Sequence, residues 1–375
     1  METPQPRPFL ESLTWLRAFA AFVVVVSHAI RASEIVYADG DIPGYFLPLN
    51  LLDLGDFGVR LFFVLSGCTL FLSHGQRLRS GAGIPGFYLK RFMRIWPAYA
   101  FSMLVYLIFI GAFKATHQGD TRDWVIHFVN DYSLEDVVRY LSLTFNITGP
   151  NRLFNMAYWS LPAELQYYLL LPPVELLMRG PASSLIAPIV AGVGLYLIDQ
   201  HHLIPLDRHE VLQLAYTFFG GVFLAQVFLM IRWRLPAMLG FSLFVLAILQ
   251  LSLSEAEILT IPKAIPLPDN KSDYYGLTAL VCLAATLFSR PMPLPKRLRA
   301  WLNTYGDISY SVYLFHVLFI NLSVIIVVGL GLYGETRKLL FIFGFSLVTS
   351  FLFSCLTYRW IELPGIRKGR AWAGG

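Results

Sequence analysis

Charge is scarce in this chain: 14% of its 375 residues are Asp, Glu, Lys or Arg, against 56% that are hydrophobic. A soluble fold of this size cannot hide so much apolar surface, so that class is excluded and an integral membrane protein is indicated. Cysteine is scarcer still. Cys68, Cys282 and Cys355 each sit inside an apolar run, where a thiol behaves as a small hydrophobe, so neither a disulfide framework nor a metal cluster is expected. Internal repeats and low-complexity stretches are missing too, and no polar region is long enough for a second soluble domain. Nor does the first apolar segment look like a removable leader, because Arg17 interrupts it, no A-x-A site follows it and Glu2 and Glu11 precede it.

What fills the chain is a series of apolar runs near the length of a bilayer crossing. They fall at 12–30, 57–73, 95–113, 160–178, 183–199, 211–230, 235–253, 274–289, 308–330 and 339–358. The expected fold is therefore an all-α integral membrane protein, a single polytopic bundle of about ten transmembrane helices occupying 1–375 as one domain. The Lys and Arg residues alternate between connections. Arg77, Arg79, Lys90, Arg91 and Arg94 mark one, Arg232 and Arg234 another, and Arg290, Lys296, Arg297 and Arg299 a third, all read as cytoplasmic. Acidic connectors with Glu34, Asp39, Asp41, Asp53 and Asp56, with Asp120, Asp123, Asp131, Glu135 and Asp136, and with Asp199, Asp207 and Glu210 face outward on this reading. Both termini then lie in the cytoplasm, and the net charge of +5 reports topology, not nucleic-acid binding. The stretch DWVIHFVNDYSLEDVVRYLSL has the apolar spacing of an amphipathic helix on the outer surface.

Ionisable groups inside such runs are costly, and they mark functional sites. VVVVSHAI carries His28 at the end of the first run, and Arg17 lies eleven residues earlier. At ~100° per residue eleven steps return to within about 20° of one azimuth, about 16 Å along the axis. In AYWSLPAELQYYLLLPP, Ser160 suits a helix cap, Pro162 a first turn, and Glu164 the positive end of the helix dipole. Glu164 and His28 are expected at similar depth, where a carboxylate orients an imidazole for general base catalysis, or where the two form a structural buried pair. Arg91 and Arg94 in YLKRFMRIWPAYA are three apart on one face and suited to phosphate oxygens, although any cytoplasmic connection needs positive residues.

In order along the chain, LTWLRAFAAFVVVVSH, FGVRLFFVLSGCTLF, FYLKRFMRIWPAYA, YWSLPAELQYYLLLP, YGDISYSVYLFH and YRWIELP together resemble the acyltransferase-3 family of membrane proteins, which O-acylate bacterial surface and exported saccharides and some lipids. The resemblance runs through Arg17, His28, Ser66, Gly67, Arg91, Arg94, Trp159, Ser160, Glu164, Tyr168, Ser309, Tyr310, Tyr313, His316, Glu362 and Pro364. The middle of the chain, 180–300, matches no motif, and no esterase-like domain follows, which suggests a stand-alone transferase.

The resemblance implies an enzyme of a bacterial inner membrane. It would move an acyl group, usually acetyl, from cytoplasmic acyl-CoA (acetyl-CoA) to a hydroxyl of a saccharide or lipid-linked saccharide acceptor. Arg91 and Arg94 would hold the coenzyme A phosphates and Arg17 would line the pantetheine route. His28, oriented by Glu164, would act as the base, and no metal is called for. Ser66, Trp159, Tyr168, Tyr313 and His316 are further candidates, the last as a packed or acceptor-contacting residue. Ser27, pointing ~100° away from His28, is a poor acyl carrier. A homodimer stays open, as does a rival class: a transporter or flippase also wants arginine, histidine and glutamate within a bundle, though it commonly shows inverted repeats.

Overall fold

The computed structural model describes residues 8–36, 51–81, 83–116, 131–149, 153–203, 210–255, 271–331 and 335–374. Away from water every backbone amide needs an internal partner, and an apolar chain satisfies this within a helix. The described residues accordingly fold as helices, joined at one place by an isolated bridge between Leu235 and Ser289.

The principal helices are α1 (Pro8–Val36), α2 (Gly55–Arg79), α3 (Ile84–Thr116), α4 (Leu134–Leu141), α5 (Ser160–Leu177), α6 (Pro181–Gln200), α7 (Ala215–Met230), α8 (Ala237–Glu255), α9 (Lys271–Leu287), α10 (Lys296–Asp307), α11 (Ser309–Gly329) and α12 (Glu335–Thr357). A π turn, Tyr358–Glu362, then leads into α13, Leu363–Trp372. Eight helical segments among the described residues are long and apolar enough to cross a membrane. The two other expected spans are also helical, 160–178 as α5 and 274–289 as the 17-residue α9.

Charges sit where helix dipoles favour them. Asp56 occupies the first turn of α2 and Arg77 and Arg79 the last, opposite the partial charges of the two ends. Of the expected outer connectors, Asp39, Asp41, Asp120, Asp123 and Asp207 lie outside the described residues, as does the first part of the amphipathic stretch. Its second part is α4. Ser133 opens that helix with a capping box: its hydroxyl accepts from the Asp136 amide at 3.1 Å, and the Asp136 carboxylate accepts from the Ser133 amide at 2.9 Å. The Ser133 backbone amide, helped by its hydroxyl, holds the Asp136 carboxyl below the usual range. Trp96 Nε1 and Tyr99 Oη of α3 donate to the carbonyls of Leu141 and Tyr140, so α4 docks on α3 and leaves Leu134 and Val138 exposed.

Two helices organise the interior. α1 packs against α2, α10, α11 and α12, while α2 packs against α5, α7 and α9. The α2–α7 contact is backbone on backbone: a Cβ on Gly67 would lie 1.9 Å from the Phe218 carbonyl oxygen, and one on Gly221 would lie 2.1 Å from that of Val64. Only glycine fits either place, the small-residue mode of close helix association in lipid. Exposed apolar side chains mark the perimeter, among them Ile189 and Val193 on α6, Leu246 and Leu249 on α8, and Val348 and Leu352 on α12. The fold thus wraps α1 and α2, and with them Arg17, His28 and Ser66, in a shell that faces lipid.

Candidate active site

Between α1, α2, α3, α5 and α11 lies a cavity of about 80 Å³, lined by Arg17, Arg91, Arg94, Glu164 and Tyr168 among others. Arg17 is held from α2: its Nη2 donates to Thr69 Oγ1 at 2.7 Å, and the Thr69 hydroxyl, donating its own proton to the Leu65 carbonyl at 2.7 Å, stays an acceptor for the guanidinium. Arg94 faces Glu362, Nη2 to Oε1 3.6 Å, and Ser311 Oγ donates to the other oxygen of that fully buried carboxylate at 2.8 Å. Arg91 lies over the Phe87 ring, 5.9 Å from its centroid, and its Nε is buried without a hydrogen-bond partner. A buried donor without an acceptor is a costly arrangement unless a ligand completes it.

Glu164 is engaged by hydroxyls. Ser66 Oγ donates to Glu164 Oε1 at 3.3 Å, and Tyr168 Oη, one helical turn along, donates to the same oxygen. Three guanidiniums, those of Arg17, Arg91 and Arg94, line the cavity with one carboxylate, Glu164, so the lining itself is net positive, while Glu362 faces Arg94 and Asp307 lies within electrostatic reach of Arg17 and Arg94 behind it. Little water screens that charge, so the cavity favours an anion.

His28 stands apart from this cavity. Its Nδ1 lies 2.8 Å from His316 Nε2, and the two rings stack at 21° with centroids 5.0 Å apart. The tautomers follow from what surrounds them. His316 Nδ1 lies 2.9 Å from the Tyr313 carbonyl and 3.1 Å from that of Val312, both acceptors only, so this nitrogen carries the proton. Neutral His316 then offers Nε2 as an acceptor, His28 Nδ1–H donates to it, and the lone pair of His28 resides on Nε2. That pattern is a base held in one tautomer by a ring behind it.

Tyr313 connects the two places. It lines the cavity and its ring centroid lies 5.8 Å from that of His316. Its hydroxyl donates to the Ala157 carbonyl at 2.7 Å and therefore accepts from Ser160 Oγ, also at 2.7 Å.

Of the ten residues singled out in the sequence, seven line one cavity: Arg17, Ser66, Arg91, Arg94, Glu164, Tyr168 and Tyr313. Two expectations are corrected. Glu164 does not pair with His28, because its acceptor oxygen faces Ser66 and Tyr168 while the imidazole meets His316. Ser160 does not cap α5, because a 3-10 turn, Met156–Trp159, runs straight into that helix and the Ser160 hydroxyl is turned to Tyr313. Asn155 caps that turn instead, accepting from the Ala157 amide at 2.8 Å. Trp159 closes the turn, packs against the core half-buried and does not line the cavity. Ser27 is fully buried and donates to Asp53. Thr69 escaped the sequence reading; its signal was its place one turn beyond Ser66.

The chain belongs to the acyltransferase-3 family, whose model, described as an acyltransferase domain, matches residues 10–359. It is therefore an acyltransferase. It is also 25% identical over 342 residues to Nodulation protein 10 of Rhizobium leguminosarum bv. viciae, covering 81% of each chain. No solved structure matches it.

Proposed function

We propose that this acyltransferase moves an acyl group, usually acetyl, from acyl-CoA to a hydroxyl of a saccharide or lipid-linked saccharide in a bacterial inner membrane. The observation that carries this reading is the convergence of Arg17, Arg91 and Arg94 on one buried cavity, with the Arg91 Nε unpartnered. A coenzyme A thioester is long and anionic at one end, and this arrangement suits it. The arginines would take the phosphates, the arm would pass Arg17 and Tyr313, and the thioester would reach His28, about 16 Å from Arg17 along α1. The excess of Lys and Arg on one set of connections supports donor entry from the cytoplasm and a cytoplasmic position for both termini.

His28 Nε2 would take the proton of the acceptor hydroxyl as its oxygen forms a bond to the thioester carbonyl carbon. The carbon–sulfur bond then breaks, and the departing thiolate receives that proton from the imidazolium, leaving an ester and free coenzyme A. His316 holds the imidazole and accepts from it while it is charged, the part first expected of Glu164. Glu164, with Ser66 and Tyr168, keeps the arginine cavity ordered. We assign it as a residue that transfer requires.

The test is acetyl-CoA binding by calorimetry to detergent-purified protein and to the Arg91→Ala/Arg94→Ala variant. Charge-assisted hydrogen bonds contribute about 1.5–3 kcal/mol each, so the loss of one such contact per arginine weakens binding by about 10- to 150-fold apiece. Wild-type protein that binds no acetyl-CoA would refute the donor assignment; a variant that binds it normally would refute the site.

A further inference from the structure

A second cavity, of about 370 Å³, lies on another face of α1, walled by α1, the start of α8, the end of α9 and α10. Leu16, Phe19, Phe244 and Leu302 are among the side chains that give it an apolar lining, and Phe241 and Leu298, 49% and 44% exposed, stand where it opens to the outside of the bundle. Two polar clasps build it. The Leu235 amide donates to the Phe288 carbonyl at 2.8 Å and the Arg290 amide to the Leu235 carbonyl at 2.9 Å, tying together the two connectors at its mouth. Trp15 Nε1 donates to Asn303 Oδ1 at 2.8 Å, which fixes α10 against α1.

The chemistry at the mouth is one-sided. Arg290 lines the cavity, and the first turn of α10 adds Lys296 and Arg297. Among the described residues no acidic side chain pairs with any of the three, while Arg299 on the same helix is matched by Glu11. An apolar slot open to the surroundings of a membrane bundle, under a cationic rim, has the charge and polarity of an anionic phospholipid. Basic pockets between spanning helices are known to take such headgroups.

We infer that this crevice binds one anionic phospholipid, with an acyl chain between α1 and α8 and the phosphate at Arg290. The lipid would brace α1, the helix that carries Arg17 and His28, from the face opposite the arginine cavity. Nothing in this depends on the identity of the acyl donor.

The experiment is native mass spectrometry of the purified protein with dioleoyl phosphatidylglycerol or dioleoyl phosphatidylcholine. Wild type should retain one phosphatidylglycerol in preference to phosphatidylcholine. Arg290→Gln should lower that retention about fivefold, the weight of one basic residue near an anionic headgroup, without changing phosphatidylcholine. Ala237→Trp, which fills the slot, should abolish it, and dihexanoyl phosphatidylglycerol should be held far less well than the dioleoyl lipid. Equal retention of the two headgroups by wild type would overturn the inference, as would short and long chains held alike. If Ala237→Trp fails to fold, thermal unfolding of wild type decides: a midpoint no higher in phosphatidylglycerol than in phosphatidylcholine also overturns it.

Discussion

Replacing His316 by Leu removes the acceptor behind His28 while leaving a side chain of comparable bulk in a fully buried position. The ring of His28 then loses the partner that fixes its tautomer and that accepts from it once it is charged. Hydrogen bonds to charged groups contribute about 1.5–3 kcal/mol, and about 1.4 kcal/mol is tenfold in rate, so kcat should fall by roughly 10- to 150-fold. Donor KM should stay within about threefold, because His316 lies outside the arginine cavity and the loss falls on the transition state. The assay is release of free thiol from acetyl-CoA by purified protein. His316→Gln supplies an amide oxygen where the ring nitrogen stood and should recover part of the rate, which a merely structural role would not predict. Full kcat in His316→Leu, or a KM change with kcat intact, would refute the assignment of His316 as the residue that orients the base.

Glu362→Gln removes the carboxylate nearest the Arg94 guanidinium, which is 31% exposed and keeps Glu164 and Asp307 within electrostatic reach, so the thermal midpoint should drop modestly while acetyl-CoA binding, measured by calorimetry, holds or tightens. Gly221→Leu sets a side chain 2.1 Å or less from the Val64 carbonyl, so size-exclusion chromatography should show aggregated protein in place of a monodisperse peak. The α4 cap responds to acid. Asp136 has a lowered folded pKa, so its contribution is complete above the ordinary aspartate range and is lost as pH falls through the lowered value; amide exchange in 134–141 should accelerate only there.

The helical fold was legible because hydropathy and helix length are local properties, and each expected run is a helix. Arg91 and Arg94 were legible as a pair for the same reason, since their three-residue spacing on one helix fixes a common face. The partner of His28 was not. It comes from 288 residues away, and whether an imidazole meets Glu164 on α5 or His316 on α11 depends on how three helices slide and rotate against one another, which no spacing encodes. The tyrosine partner of Glu164 was within reach of spacing alone, since Tyr168 follows it by four residues on α5 and donates to it. The link from Glu362 to Arg94 was hidden by the π turn, because an α-helical count through YRWIELP misplaces the carboxylate.

That wide turn also gauges length. A π turn is a helix carrying one residue too many. Wound instead as ordinary α-helix, the five residues Tyr358–Glu362 would push α13 out by about 1.5 Å and rotate it by ~100°. Gly365, where a Cβ would sit 2.5 Å from the Met93 carbonyl oxygen, and Gly369, packed on Met93 and Lys90, would then swing off α3. The last helix is thus registered on the arginine-bearing one like a key cut to a single depth, and an ordinary turn in place of the wide one would leave every side chain present and the lock unturned.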